Sequence, residues 1–294
     1  MQRWYRPLLA AVALAALGGA APDAAAPQPR LTAADYRAVF AAPGDDAVFE
    51  DFLAKLPTLS VIQQGATRRY YILEGDLPLS RDAVRAMLYA KSQAEQPVNP
   101  TAELVVLQVG GIDQFWPTGK RALTYAVERA SFPDAATYQV ALAGVRDAAT
   151  AWTSACPACG LSLTHAVAQD AAPDENAVTF IVTYLPEDSG LLALAFFPND
   201  PVHKRRLYIF PAWSTTTVDR TGILRHELGH VLGYRHEHIR GIAGCENESG
   251  EWRPLTPYDK KSVMHYLCGN AGDAKLRLTQ SDIAGHRQLY RVAG

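Results

Sequence analysis

The chain has 294 residues, of which 48% are hydrophobic and 20% charged, and a formal net charge of −2. That is enough apolar material to bury a full core in one or two domains. Charge of neither sign gathers into a long run, so no feature directs the chain to nucleic acid.

The chain opens on a short basic stretch, Gln2-Arg3-Trp4-Tyr5-Arg6-Pro7, followed by an unbroken apolar run over residues 8–17 and then small residues at Gly18-Gly19-Ala20-Ala21. This is the pattern of a secretory signal peptide, expected over residues 1–26 with cleavage between Ala20 and Ala26. The run is too short to span a bilayer comfortably, so no stable membrane insertion is expected after cleavage, and the product is expected to be secreted or periplasmic. Residues 22–29 read as an Ala/Pro linker.

Residues 27–111 form an expected N-terminal region. Helical patterning covers 33–39 and 46–56, strand-like alternation covers 68–73, and a helix is expected over 80–91 with Ser80 as its cap. The second domain, residues 112–294, opens near Phe115-Trp116-Pro117-Thr118-Gly119. A strand is expected over 123–127. A long amphipathic helix follows over 135–155, with Tyr138, Leu142, Val145, Ala149 and Trp152 on one face. Further strands are expected over 161–166, 178–185, 192–197 and 205–210, the last two around the turn Pro198-Asn199-Asp200-Pro201. A helix is expected over 221–232, and a final one begins after the cap Thr279 and ends at Leu289-Tyr290.

The helix over 221–232 carries the chemistry. It leads into His226-Glu227-Leu228-Gly229-His230-Val231-Leu232-Gly233-Tyr234-Arg235-His236, the long form H-E-x-x-H-x-x-G-x-x-H of the zinc-protease motif. Residues four apart on a helix lie one above the other, so His226 and His230 present two imidazoles to one point. Gly233 lets the chain leave the helix at positive φ and bring His236 back as a third ligand. Three protein ligands leave Zn²⁺ an open fourth position, as catalytic sites require. Glu227 can reach a water at that position without binding the metal, which makes it the candidate general base. A surface helix rich in His and Glu that binds nothing is the bland alternative.

Cys156, Cys159, Cys245 and Cys268 are the four cysteines of the chain. An even count in an exported protein reads as two disulfides, for which three pairings exist. Cys156–Cys159 with Cys245–Cys268 is preferred, the second tying the segment beyond His236 to the region of Met264. The Cys156-Pro157-Ala158-Cys159 run also fits a redox motif or a metal knuckle, but neither the βαβ context nor a second cysteine pair is in view.

Ser262-Val263-Met264-His265-Tyr266 resembles the Met-turn of the metzincins. Tyr258-Asp259-Lys260-Lys261-Ser262-Val263-Met264-His265-Tyr266, together with Glu237 directly after His236, resembles the astacin form of it. The resemblance spans about residues 113–294 and fades at His238-Ile239-Arg240-Gly241, leaving some matrixin-like character. It implies an α+β fold: a metzincin-type zincin catalytic domain with a twisted, mostly parallel five-stranded sheet and three helices, behind a small N-terminal pro-region. It further implies that Met264 floors the site and that Tyr266 stabilises the transition state. Substrate would lie antiparallel to an edge strand within residues 192–211.

Leu73-Glu74-Gly75-Asp76 resembles the F-x-G-D motif of astacin pro-segments, with Leu in place of Phe. That would make Asp76 a latch on the metal; an ordinary Gly-Asp turn is the other reading. No cysteine precedes Cys156, which excludes a cysteine latch of the matrixin kind. Asn199, Asp200 and His203 stand where matrixins hold a second metal, although a polar hairpin loop accounts for them as well. His165 and His286 read as structural or exposed, His238 and His265 do not fit the ligand spacing, and Asn247-Glu248-Ser249 is a glycosylation sequon by pattern.

The expected function is a secreted, zinc-dependent metalloendopeptidase, monomeric and made with a pro-segment. His226, His230 and His236 would hold Zn²⁺, with Glu227 and Tyr266 as catalytic residues and a protein or peptide as substrate. The alternative is a zinc-binding peptide-recognition protein without catalysis, which would have no need of Glu227. A cell-wall hydrolase would use other zinc motifs.

Overall fold

A computed structural model of the protein describes residues 31–42, 44–63, 65–73, 77–93, 104–245, 248 and 250–291. The expected signal peptide, the linker over 22–29, Glu74-Gly75-Asp76, and Asn247 and Ser249 of the sequon lie outside the described residues.

The N-terminal part begins with two short helices, α1 (Ala33–Ala41) and α2 (Asp46–Ala54). Thr32 and Asp35 exchange side-chain-to-backbone hydrogen bonds across the first turn of α1, and Asp45 caps α2, so both helices start where orphan N–H groups find oxygens. An antiparallel sheet follows in the order β1 (Thr58–Gln63), β2 (Ala66–Leu73), β3 (Leu77–Leu79). The next helix, α3 (Arg81–Gln93), is capped as expected by Ser80, whose Oγ accepts from the N–H of Ala83 at 3.3 Å. Tyr36, Phe49, Phe52, Leu53, Leu73 and Leu88 close a core of their own.

The larger body is built on a five-stranded sheet in the order β7 (Ser162–His165), β6 (Ala122–Val127), β8 (Phe180–Tyr184), β10 (Arg206–Ile209), β9 (Ala193–Leu194). Its pairings are parallel except at the edge, where β9 runs antiparallel to β10. This is the mostly parallel sheet that the resemblance implies. The strand expected over 192–197 shrinks to two paired residues. The Asp200 carboxylate accepts from the N–H of Phe197 at 2.8 Å, turning the chain out of the sheet.

Helix α4 (Ala135–Ala155) has the expected bounds and is capped by Asp134. It buries Tyr138, Val145, Ala149 and Trp152, while Leu142 is only partly covered. A Cβ on Gly144 would stand 2.8 Å from Leu224, so α4 approaches the motif helix more closely than a side chain at that position would allow. That helix, α6 (Arg220–Val231), follows the short α5 (Pro211–Thr215).

A second sheet is not foreseen from the sequence. β4 (Val105–Val109) lies between β11 (Tyr234–Arg235) and β12 (Glu251–Pro254), antiparallel to both, and β5 (Ile112–Asp113) also pairs with it. β4 lies ahead of the boundary expected between residues 111 and 112, yet it pairs with two strands of the body that carries the motif.

The two parts pack through the edge of the main sheet. Ala193, Leu207 and Ile209 face the core under α4 and α6, whereas Leu194, Tyr208 and Phe210, on the alternate face, meet Leu59, Val61, Tyr70 and Ile72 of the N-terminal sheet. Period-two alternation thus gives the edge strands two separate apolar partners. Among the described residues no helix is long and apolar enough to cross a membrane.

The last helix, α7 (Gln280–Tyr290), starts at a capping box between Thr279 and Asp282. It buries His286, which hydrogen-bonds the Tyr234 hydroxyl at 2.7 Å. Burial, with the charges of Arg121 and Arg287, pushes the His286 imidazole down to about 4. In the unfolded chain it titrates near pH ~6.5. Below that pH the unfolded state takes up a proton that the folded state refuses until about pH 4, so stability falls as pH drops through this window. The loss assigned to this group is on the order of 3 kcal/mol. Urea unfolding of metal-free protein at pH 7 and pH 4 is expected to show a smaller acid-induced loss for His286→Gln than for the wild type; equal losses would remove His286 from the account.

Candidate active site

The motif helix is capped at its start by the residue before it and held at its end by residues far away in the chain. Asp219 caps α6, its carboxylate accepting from the N–H of Gly222 at 2.6 Å. At the other end two carbonyls have no partner within the helix. The Val231 carbonyl accepts from Trp116 Nε1 and that of Leu232 from the Tyr290 hydroxyl, each at 2.8 Å. The chain then reverses at Gly233, whose φ is +99°. A Cβ there would stand 2.1 Å from the Gln114 carbonyl oxygen, so glycine is required twice over, for conformation and for space.

β11 follows at once and is pinned to β4, with Tyr234 opposite Val106 and Arg235 opposite Val105. This delivers His236 beside His226, their Nε2 atoms 3.1 Å apart. One ligand atom from each of His226, His230 and His236 lies within 4.8 Å of the others, and all three residues are buried. The opposite ring nitrogens fix this orientation. His226 Nδ1 donates to the Val263 carbonyl and His230 Nδ1 to the Tyr234 carbonyl, both at 2.7 Å, and His236 Nδ1 is bonded to Glu248 Oε1. With each Nδ1 engaged, the three Nε2 lone pairs are left to converge, the donor set and tautomer that Zn²⁺ takes.

Met264 lies beneath this cluster. It is fully buried, and a Cβ on Gly229 would come within 2.3 Å of its sulfur, so the thioether fills the notch left by a glycine between the two helical histidines. The turn around it is fastened by Asp282, whose carboxylate accepts from Ser262 Oγ at 2.6 Å and from the Val263 N–H at 3.0 Å while also serving the capping box of α7. Glu237 adds a second tie, its N–H donating to the Met264 carbonyl at 2.8 Å. The disulfides are Cys245–Cys268 and Cys156–Cys159, the preferred pairing, and the former joins the segment after His236 to the one after Met264.

Tyr266 is half-buried, its ring centroid 4.3 Å from that of His236 and 5.5 Å from that of His226. It lines a cavity of about 300 Å³ together with His226, Glu227, Leu192, Ile223 and Leu276. The structure thus gathers all five sequence-derived site residues at one place, with Glu227 and Tyr266 sharing a mostly apolar cavity beside the imidazoles.

The other candidates separate from the site. His165 Nε2 lies 2.9 Å from Asp170, and its ring stacks on Tyr125. The Asp200 carboxylate is taken up by the Phe197 N–H at 2.8 Å, and neither Asp200 nor His203 belongs to a cluster of three His, Cys, Asp or Glu ligand atoms among the described residues. His238, His265 and Cys268 do lie close together, but Cys268 is committed to its disulfide and offers no thiolate. Glu248, read from sequence only as the middle of a sequon, is the residue that sequence reasoning missed. It is buried against His236 and His238 with Arg235 3.6 Å away. Burial acts to raise its carboxyl pKa, but the electrostatic and hydrogen-bonding influence of the His236 and His238 rings lowers it by more, holding it below the ordinary carboxylate range.

Strand order, motif helix and methionine turn are arranged in the α+β fold that the resemblance to metzincins implies. No protein-family model matches the chain. Among curated proteins, the dorsal-ventral patterning protein tolloid of Drosophila melanogaster is 36% identical over 67 residues, 16% of this chain and only 6% of that protein's length. Among solved structures, one of myroilysin aligns with 65% of this chain and 100% of its own at a TM-score of 0.43 and 15% identity. A second structure of myroilysin aligns with 67% of this chain and 94% of its own at 0.39 and 14%.

Gly233→Ala is expected to cost on the order of 3 kcal/mol, from the left-handed backbone and the collision with Gln114, and to lower metal uptake by displacing His236. Thermal unfolding and metal titration check both; a variant with wild-type stability and uptake would show that the reversal does not need glycine.

Proposed function

We propose that the protein is a zinc-dependent metalloendopeptidase that cuts peptide or protein substrates. The observation that carries this reading is the convergence of three oriented imidazoles next to Glu227, a carboxylate that is outside the ligand set and faces a cavity.

His226, His230 and His236 would hold the ion, which when bound supplies Lewis acidity for polarising a carbonyl and acidifying water. Glu227 accepts a proton from the attacking water on its carboxylate and passes it to the leaving amine nitrogen. The Tyr266 hydroxyl, at the rim of the cluster, donates to the oxygen that gains charge as the carbonyl becomes tetrahedral. Substrate enters extended along β9, the antiparallel edge strand, and the apolar walls at Leu192, Ile223 and Leu276 accept an apolar side chain beside the scissile bond. No side chain forms a covalent bond to substrate. Secretion follows from the signal-peptide pattern and fits two disulfides in a small body.

Glu227→Ala is expected to bind Zn²⁺ as the wild type does and to lose about 10²–10⁴-fold in peptide hydrolysis. Metal content and a fluorogenic peptide assay, with and without chelator, are the measurements. A zinc-loaded wild type that cuts nothing would favour a peptide-binding protein, and an active Glu227→Ala would remove the base.

Asp76 is proposed as the carboxylate that keeps the unprocessed chain silent. Asp76→Ala should raise the activity of full-length, uncut protein; unchanged activity with zinc bound would place latency elsewhere.

A further inference from the structure

We infer that Glu248 is a positioning residue for the metal: it gives His236 a charged hydrogen-bond acceptor and makes it the strongest donor of the three imidazoles. The inference rests on the proposed metal site and concerns how that site is tuned.

The three candidate ligands are oriented differently. His226 and His230 give their Nδ1 protons to the neutral backbone carbonyls of Val263 and Tyr234. His236 instead meets the Oε1 of a carboxylate that is itself buried. A hydrogen bond to an ionised acceptor in a dry site is about twice as strong as one to a neutral group. It also draws the Nδ1 proton away from the ring, which raises electron density at Nε2, the atom that faces His226 across 3.1 Å.

The carboxylate is itself held in place. Its Oε1 lies 2.7 Å from His238 Nε2, and its Oε2 lies 3.6 Å from Arg235 Nη2. Arg235 sits in β11, next to His236, so the strand that sets the third ligand also carries the cation facing its acceptor. Glu248 follows Cys245 by three residues, and the Cys245–Cys268 disulfide returns that segment to the site. Gly250 fixes the approach from the other side: a Cβ there would meet Arg235 Nη1 at 2.9 Å and Met87 of α3 at 3.2 Å. These contacts place Glu248 in a closed polar pocket behind His236. His236, His238 and Glu248 could in principle take a cation of their own, but Glu248 Oε1 already accepts from His236 Nδ1, so one ion per chain is expected.

The test uses the full chain. Glu248→Gln keeps the shape and an acceptor oxygen but removes the charge. Zinc affinity, measured by competition with a chromophoric chelator, is expected to fall about tenfold for Glu248→Gln and about 100-fold for Glu248→Ala, the range for carboxylates behind ligating histidines. The visible spectrum of the Co²⁺-loaded protein should shift in Glu248→Gln, a change that a residue acting only on folding would not produce. Wild-type affinity and an unshifted spectrum in Glu248→Gln would overturn the inference, as would two zinc ions per wild-type chain. Should the variants not fold, ¹⁵N-histidine spectra of the zinc-loaded wild type decide: one Nδ1 proton well downfield of the other two supports the inference, and three similar ones end it. A wild type that takes up no zinc would instead strike at the proposed function.

Discussion

The site depends on a chain reversal. Two imidazoles come from one helix face at no special cost, because four residues bring the chain once around. The third must return to the same point from beyond the helix end within a few residues. That reversal needs positive φ at Gly233, room for its backbone against Gln114, partners for the two last carbonyls of α6, and a strand that fixes the direction of exit. Each comes from a different part of the chain: Trp116 lies ahead of the main sheet, Tyr290 at the end of α7 and Val106 in β4. The three histidines are therefore only as well placed as the packing of those elements.

Met264 and the carboxylates complete that packing. A thioether conforms to the notch at Gly229 without offering a competing strong ligand. Asp282 accepts hydrogen bonds from the methionine turn and from the start of α7 together, and Glu237, the residue after His236, is tied to the turn by its N–H on the Met264 carbonyl and by its carboxylate, which accepts from the Asp259 N–H. Buried carboxylates are costly unless their oxygens are hydrogen-bonded. Here each one fastens elements that hydrophobic contact alone would leave free to slide.

Much of this could be read from the sequence where the signal is local. Helix α4 has its expected bounds because its apolar positions recur at helical spacing and Asp134 caps it. The three histidines and Glu227 follow from fixed spacing within one short run, and Met264 and Tyr266 from the resemblance to the metzincin turn. The second sheet could not be read that way. β11 has two residues and sits inside the histidine motif, and its partner β4 lies more than a hundred residues earlier in an apolar run that shows no alternation. Glu248 was hidden for the same reason, since nothing around it in the chain indicates that folding sets it behind His236. The strand expected over 192–197 was cut short by Asp200, a side-chain-to-backbone bond that competes with sheet pairing.

The N-terminal part bears on how the body could work without it. Leu194, Tyr208 and Phe210 present an apolar face on the edge strands, and β1 and β2 cover it. Burial of apolar surface is worth roughly 25 cal/mol per Å², so separating the two parts would expose a patch that water disfavours and that other chains could bind. The same β9 that would guide substrate on its open edge turns its Leu194 side chain toward the N-terminal sheet. Removal of that sheet would thus act on the strand along which substrate is proposed to lie, from the face opposite the helices. A latch at the metal and a cover on the edge strand are separable constraints, since relieving the first leaves the second in place.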